Sequence, residues 1–240
     1  MPVVVWISGA SSGIGAALAA SVPYDGARVL GISRRPPPVG EHVDADLSDP
    51  AAWARVAAHF EQVLSGAHTA VFLHMAGVAT PIGPAIGADA DAYTAAVLVN
   101  CASGLVLGKA FLDACRTAGA EATLVVCSSP AAATPVYGAS HYGAGKAALQ
   151  YWAATVATEV DSRVLCVVPH AVDTPMVRGT IAQPPGVTPI SDHLRTAAER
   201  GALATPEATA AQIWSLVLDE TTPETAVPVG AVPTETRITT

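Results

Sequence analysis

The sequence predicts a single α/β domain, a doubly wound parallel sheet with helices on both faces. Apolar segments of strand length alternate with segments of helical periodicity almost to the end of the chain. The composition, 51% hydrophobic and 13% charged, suits a sheet that is buried on both faces. The length of 240 residues fits one such domain, and no repeat or linker divides it. We therefore assign residues 1–232 to one domain and residues 233–240 to a polar tail.

Runs of apolar and β-branched residues predict the strands in order. They lie at 3–8, 28–33, 70–75, 122–128 and 163–168, with shorter ones at 42–46 and 226–229. Helical periodicity predicts helices at 13–22, 50–64, 92–118, 140–159 and 206–218. The first follows a glycine-rich turn. The second begins at the capping residue Asp49 with Pro50 behind it, and the last begins at Thr205 and Pro206 in the same way.

Charge and composition argue against several classes of partner. The formal net charge of −8 disfavours nucleic acid and anionic membranes. The long uncharged stretches at 62–88 and 122–145 are interrupted by Gly, Pro, Ser and Thr, so we predict no membrane span. The four cysteines include no CxxC pair, and the histidines lack metal-ligand spacing, so we predict no metal. With an apolar strand at the amino terminus, these features predict a reduced, cytoplasmic protein.

A phosphate-binding turn is predicted where the first strand meets the first helix. The segment reads Ser8-Gly9-Ala10-Ser11-Ser12-Gly13-Ile14-Gly15. Glycines permit a tight turn and let backbone N–H groups approach a pyrophosphate at the helix amino terminus. The same pattern could be an ordinary strand–helix turn, but its place at the first βα junction favours dinucleotide binding. The predicted contacts are Gly9, Ser11, Ser12, Gly13, Ile14 and Gly15.

A catalytic set is predicted further along the chain. Tyr142 and Lys146 are four residues apart, so a helix would place both side chains on one face. A nearby ammonium favours the phenolate and lowers the pKa of tyrosine, which makes the phenol useful for acid–base chemistry. Ser129 lies at the end of a strand, where its hydroxyl could donate to a substrate oxygen. Ser128, the preceding residue, is an alternative candidate for this donor. Only the spacing from Tyr142 favours Ser129 over it.

These motifs together resemble those of the short-chain dehydrogenase/reductase family. Its phosphate-binding motif is T-G-x-x-x-G-x-G, with Ser8 here in place of Thr, and its catalytic serine stands at the spacing of Ser129 from Tyr142. The resemblance spans residues 3–218. It implies a Rossmann-type domain that moves hydride between a nicotinamide cofactor and a small-molecule carbonyl or alcohol. Ser129 would hold the substrate oxygen, Tyr142 would exchange the proton, and Lys146 would lower the pKa of Tyr142 and bind ribose.

The resemblance implies further roles for single residues. Asn100 would connect the lysine to solvent through water. The expected cofactor contacts, in addition to the turn and the catalytic pair, are Asp46 and Leu47 at the adenine, Ala76 and Gly77 beside the cofactor, and Pro169, Val172 and Thr174 at the nicotinamide. The segment 77–82 and the carboxyl-terminal segment 203–218 are similar to the sepiapterin reductase and benzil reductase branch. That similarity implies a vicinal dicarbonyl or an aromatic ketone as substrate.

The end of the second strand indicates which cofactor binds. An NAD enzyme places an acidic residue there to accept from the ribose 2′-hydroxyl. Here the strand runs into Arg34 and Arg35, and no acid appears before Glu41. Arginine suits the 2′-phosphate of NADP(H), although both could be solvated loop residues. We predict NADP(H).

Two departures from the family pattern stand out. His74 and Met75 replace the two asparagines of the motif N-N-A-G, and His170 replaces the glycine after Pro169. The ring of His170 could be packed or solvent-facing, or it could contact substrate and respond to pH. We also expect a substrate lid at 176–201, with a helix-like part at 191–200.

The predicted activity is the NADPH-dependent reduction of a ketone or vicinal dicarbonyl, or the reverse oxidation. The alternative is a non-catalytic NADP-binding regulatory or structural module. By resemblance, we expect a homodimer or homotetramer that packs through the helices at 92–118 and 140–159.

Overall fold

A computed structural model describes residues 3–221 and 227–229, and in it seven strands form one parallel sheet. The strand order is β3-β2-β1-β4-β5-β6-β7. The strands are β1 (Val3–Ser8), β2 (Arg28–Ser33), β3 (Glu41–Asp44), β4 (Thr69–His74), β5 (Glu121–Cys127), β6 (Arg163–Pro169) and β7 (Val227–Val229). The doubly wound α/β prediction is therefore confirmed. The tail predicted at 233–240 and the first residue of the strand predicted at 226–229 lie outside the described residues.

Helices cover both faces of this sheet. They are α1 (Gly13–Ala20), α2 (Pro50–Val63), α3 (Ala90–Val97), α4 (Ser103–Ala118), α5 (Ser140–Val156), α6 (Pro175–Ile181), α7 (Pro189–Glu199) and α8 (Pro206–Leu218). The caps proposed from sequence are present: Asp49 accepts from Ala51 N, and Thr205 accepts from Ala208 N. The helix at 175–181 was not predicted, and the helix predicted at 92–118 begins at Ala90.

Alternation along the strands divides the core into two layers, because successive strand side chains point to opposite faces. On one face, α2, α4 and α5 cover the sheet around Trp6 and Phe72, and the rings of Trp6 and Phe60 are 5.2 Å apart. On the other face, α1 and α8 pack on Ile7 and Leu73. Both faces are buried, as the apolar composition predicts.

The strand order reverses between β1 and β4, and this reversal places the ligand crevice. The chain goes from β1 outward to β2 and β3, then returns to the other side of β1 as β4. In such sheets the connections leave the carboxyl ends of these two strands in opposite directions and open a crevice between them. The glycine-rich turn after β1 and the segment after β4 therefore face each other there.

The middle helical segment combines α3, a π-helical stretch at Leu98–Ala102, and α4. Among the described residues, this stretch, Ala90–Ala118, has the length and apolar composition to cross a membrane, with a mean hydropathy of 1.7. It is not one of the two uncharged stretches, 62–88 and 122–145, on which the prediction of no membrane span rests. In the fold, apolar side chains of this stretch pack into the core, where Leu107 and Phe111 are fully buried.

The predicted lid contains two helices rather than one. Thr174 caps α6 by accepting from Val177 N, and Thr188 caps α7 by accepting from Ser191 N. Arg195 of α7 donates to the carbonyl oxygens of Ile181 and Gln183, at 2.9 and 2.7 Å, and so ties α7 to the end of α6.

Candidate active site

The turn between β1 and α1 has the geometry of an anion-binding cradle. Gly9 and Gly13 have φ values of 72° and 54°, which favour glycine. At Gly15 a Cβ atom would lie 2.4 Å from Gly9 O, so only glycine fits. The side chain of Ser12, the N-cap residue, makes no capping hydrogen bond within the described part of the chain. The amino terminus of α1 therefore presents backbone N–H groups to a ligand, which fits the pyrophosphate of a dinucleotide.

The segment after β4 forms the opposite wall of the crevice. Ala76 donates its N–H to Ser8 Oγ at 3.1 Å, and a Cβ on Gly9 would be 3.1 Å from Ala76 Cα. A Cβ on Gly77 would lie 3.3 Å from Asn100 Oδ1 and 3.4 Å from Lys146 Nζ. Because Gly77 has no side chain, the backbone of this wall can lie close to the Lys146 ammonium.

The segment after β6 supplies the third side. Thr174 reaches the phosphate-binding turn, since a Cβ on Gly13 would be 3.0 Å from Thr174 Cγ2. Pro169 ends β6, and Val172 is buried where its backbone bridges to Ala204. His170 is partly buried and donates its backbone N–H to Val229 O at 3.0 Å.

The residues predicted at the adenine end lie after β2 and β3. Arg34 and Arg35 are exposed, and neither takes part in an ion pair among the described residues. Burial raises the pKa of Asp46. Hydrogen bonds from Ser48 and the charge of Arg34 outweigh burial and hold that pKa below its ordinary value. Leu47 is buried, and its carbonyl oxygen accepts from Trp53 Nε1 at 3.0 Å.

Tyr142 and Lys146 share one face of α5, as predicted. Lys146 is 2% exposed, and its Nζ lies 5.7 Å from the centre of the Tyr142 ring. The same ammonium donates to Cys127 O, the last carbonyl of β5, at 2.7 Å. The Lys146 ammonium is therefore buried and fixed by a backbone carbonyl close to the partly buried ring of Tyr142.

The two adjacent serines have different surroundings. Ser128 is 2% exposed, and its hydroxyl lies 3.2 Å from Lys146 O and 3.1 Å from Gln150 Oε1, so it braces α5. Ser129 is partly buried and accepts from Ala131 N at 3.3 Å at the start of a short 3₁₀ helix, Pro130–Ala132. Among the described residues, its hydroxyl donates to none. This geometry favours Ser129 as the donor to a substrate.

Asn100 lies in the π-helical stretch and is buried. Its side chain pairs with the backbone of Val78: Oδ1 accepts from Val78 N at 2.9 Å, and Nδ2 donates to Val78 O at 2.8 Å. The structure thus shows Asn100 bracing the segment after β4. Its predicted water-mediated link to Lys146 stays a prediction.

His74 occupies the position of a family asparagine and lies in the core. Its Nδ1 is 3.1 Å from Ser8 Oγ, the same oxygen that accepts from Ala76 N. Burial, with a smaller effect of the Lys146 charge, lowers the pKa of His74 to about 3. The ring is therefore neutral at pH 7, and among the described residues its Nε2 has no hydrogen-bond partner. The family motifs have Thr at the position of Ser8 and Asn at the position of His74. With both residues replaced, a contact between the Ser8 and His74 side chains still connects the ends of β1 and β4.

His141 is a site residue that the sequence analysis missed. It is buried next to Tyr142, and its ring lies 5.3 Å from that of Tyr93. Burial lowers its pKa, while hydrogen bonds with the backbone of Thr80 and Ala79 act in the opposite direction. His141 thereby attaches the loop after β4 to the helix that carries Tyr142. A histidine directly before the tyrosine was the available signal.

Comparison with known proteins assigns the family. A family model described as short chain dehydrogenase matches residues 3–184. The chain therefore belongs to the short-chain dehydrogenase/reductase family, whose members are oxidoreductases that use NAD(H) or NADP(H). Among the described residues, no group of three or more His, Cys, Asp or Glu side chains could hold a metal ion.

Three relatives illustrate the match. The chain is 32% identical over 193 residues to 1-deoxy-11-beta-hydroxypentalenate dehydrogenase of Streptomyces avermitilis, covering 73% of this chain and 71% of that protein. A short-chain dehydrogenase/reductase structure from Burkholderia vietnamiensis has 32% identity and a TM-score of 0.66, covering 78% of this chain and 94% of its own. One from Saccharomyces cerevisiae has a TM-score of 0.82 at 20% identity, covering 95% and 96%, and shows the fold. The sepiapterin reductase and benzil reductase branch stays a prediction.

Proposed function

We propose that this protein catalyses the NADPH-dependent reduction of a ketone or vicinal dicarbonyl to an alcohol, and the reverse oxidation. The observation that carries the proposal is the buried Lys146 ammonium beside the Tyr142 ring, on the helix that follows Ser129. Burying a charge is costly, and cofactor binding alone does not require a phenol beside the buried cation, so the pair favours acid–base chemistry. Membership of an oxidoreductase family also favours catalysis over the non-catalytic alternative.

Each residue of the set has a distinct task in this proposal. Tyr142 donates its phenolic proton to the carbonyl oxygen during reduction and removes it from the alcohol during oxidation. Lys146 stabilises the phenolate that this transfer leaves behind. Ser129 donates a hydrogen bond to the same oxygen as negative charge develops on it. When bound, the nicotinamide supplies the hydride that reaches the carbonyl carbon.

The choice of NADP(H) rests on Arg34 and Arg35, two exposed guanidinium groups after β2 without an ion pair among the described residues. A 2′-phosphate gives them a charge-assisted partner that NADH lacks. We expect Arg34→Ala with Arg35→Ala to raise the KM for NADPH by about tenfold or more and to leave that for NADH nearly unchanged. Arg55→Ala, at an exposed arginine of α2, is the matched control. Equal effects on both cofactors would contradict the assignment.

The reaction is tested by following NADPH absorbance with vicinal diketones, aryl ketones and pterin ketones. Turnover of a ketone with NADPH, weak with NADH, supports the proposal. Tight NADPH binding without turnover of any compound would favour the non-catalytic module.

We also propose a homodimer or homotetramer in the cytoplasm. Val106 of α4 and Tyr151 of α5 are large apolar side chains exposed on the helices expected to pack between subunits. Native mass spectrometry tests this: Tyr151→Glu should shift the protein towards monomer.

A further inference from the structure

We infer that the natural substrate is an electrically neutral carbonyl compound with a bulky apolar part, and that carbonyl compounds bearing a carboxylate or phosphate are poor substrates. This inference rests on the proposed reductase function and names the chemistry of its substrate. It follows from three loops at the carboxyl end of the sheet, 75–88, 128–139 and 182–188, which we call the mouth loops.

The mouth loops meet one another beside the catalytic set. Gly83 donates its N–H to Gly138 O at 2.9 Å and so joins the first two loops. A Cβ on Gly138 would lie 3.0 Å from Thr188 Cγ2, which brings the third loop to the same point. The second loop begins at Ser128 and Ser129, directly after β5, and ends at α5. A substrate that reaches Tyr142 must therefore pass or contact these loops.

The mouth loops contain no charged residue and no histidine over their combined length. The nearest charged side chains along the chain already have partners. Asp89 caps α3 by accepting from Ala92 N at 2.8 Å. In the lid, Arg178 donates twice to Asp173, at 2.7 and 2.8 Å.

The remaining cations near the mouth are also engaged. Arg195 binds Asp192 at 2.5 Å and two carbonyl oxygens. Lys146 is buried and donates to Cys127 O. Burial lowers the pKa of His141, which leaves the ring neutral at pH 7. Among the described residues around the mouth, an anionic substrate would therefore lose hydration without gaining a free counter-charge.

Each mouth loop also presents one large apolar side chain to solvent. Ile86 is 96% exposed, Tyr137 is 60% exposed, and Val187 is 43% exposed. Large apolar side chains left in water are a cost unless a ligand covers them, and covering them contributes favourable free energy in proportion to the apolar area removed from water. The occupant that fits is the substrate itself, because these loops adjoin Ser129 and Tyr142 and lack charge.

The test uses one ketone in a charged and a neutral form. 3-(4-Acetylphenyl)propanoate and its methyl ester share an aryl ketone, and two methylene groups insulate the carbonyl from the change in charge. We expect kcat/KM for the ester to exceed that for the carboxylate on the order of 100-fold, because the anion loses hydration unpaired. Equal values, or a preference for the carboxylate, would overturn the inference while leaving the reductase function intact. Turnover of neither form, nor of any ketone in the panel, would overturn the proposed function and the inference with it.

A second variant keeps the test independent of the substrate pair. Tyr137→Lys places a cation in the mouth, and it should raise kcat/KM for the carboxylate about tenfold while that for the ester does not rise. Leu218→Lys adds the same charge at an exposed position at the end of α8 and should change neither. If both lysine variants acted alike on the carboxylate, the effect would be one of net charge, and the mouth would not be the site of discrimination.

Discussion

The buried imidazole of His74 makes the stability of this protein sensitive to mild acid. The ordinary pKa of histidine is 6.5, and in the folded chain burial and the Lys146 charge lower that of His74 to about 3. Between these values the unfolded chain binds a proton that the folded chain does not. The folded state therefore loses stability as pH falls from about 6.5 towards 3, and the contribution is absent above 6.5.

The size of this loss follows from the shift in pKa. Each pH unit below the unfolded pKa costs about 1.4 kcal/mol, so a change from pH 7.5 to pH 5 costs about 2 kcal/mol from His74 alone. His74→Asn removes the titrating group and keeps a polar atom for Ser8. The variant leaves a smaller side chain in the core and costs about 1 kcal/mol at every pH. The two effects separate because only the first depends on pH.

The assay is urea unfolding of wild type and His74→Asn at pH 7.5 and pH 5, monitored by tryptophan fluorescence. We expect the free energy of unfolding of wild type to fall by about 2 kcal/mol more than that of the variant over this range. His68→Asn, at an exposed histidine before β4, is the matched control and should keep the wild-type slope. An identical pH dependence in wild type and His74→Asn would refute the account of this residue.

Two further predictions concern the glycine turn and the paired serines. Gly15→Ala forces a methyl group against Gly9 O and should cost about 1–3 kcal/mol of stability and weaken NADPH binding. At Gly179, in α6, an added Cβ would meet no neighbouring element within 4 Å, so Gly179→Ala should neither destabilise the fold nor weaken NADPH binding. Thermal unfolding and fluorescence titration measure both quantities. Ser129→Ala should lower kcat about 100-fold or more with little change in stability, because it removes a donor to the developing oxyanion. Ser128→Ala should instead cost about 1–3 kcal/mol of stability through lost buried hydrogen bonds. Steady-state kinetics and thermal unfolding measure these effects. If Ser128→Ala lost activity and Ser129→Ala lost stability instead, Ser128 would be the donor to the substrate.

The sequence predicts the fold well because both its strands and its caps carry local signals. Buried parallel strands are continuous apolar runs, so their bounds could be set to within a residue or two. The helix at 175–181 has the same Thr-Pro start as the predicted helix at 206–218, but Thr174 had been assigned to the cofactor alone. In the structure Thr174 caps α6 and also touches the phosphate-binding turn. One residue can therefore carry two signals, and the cap was overlooked.

The side-chain environment of the site could be predicted only in part. Tyr142 and Lys146 lie four residues apart, and helix geometry alone brings them to one face. The pair of Ser8 and His74 spans 66 positions, and no local pattern reveals that contact. Likewise, Ser128 meets Gln150 only because β5 packs against α5. Such contacts depend on how elements pack, which spacing along the chain does not determine.

The central claim is that Tyr142 transfers the proton, and its phenolic hydroxyl can be removed alone. Tyr142→Phe is compared with Tyr151→Phe, which removes the same group from an exposed position on the same helix. NADPH oxidation with a ketone substrate and NADPH binding by fluorescence are measured for both variants. We expect Tyr142→Phe to lose activity by about 10²–10⁴-fold with NADPH affinity retained, and Tyr151→Phe to behave as wild type. Equal activity in the two variants would contradict the account.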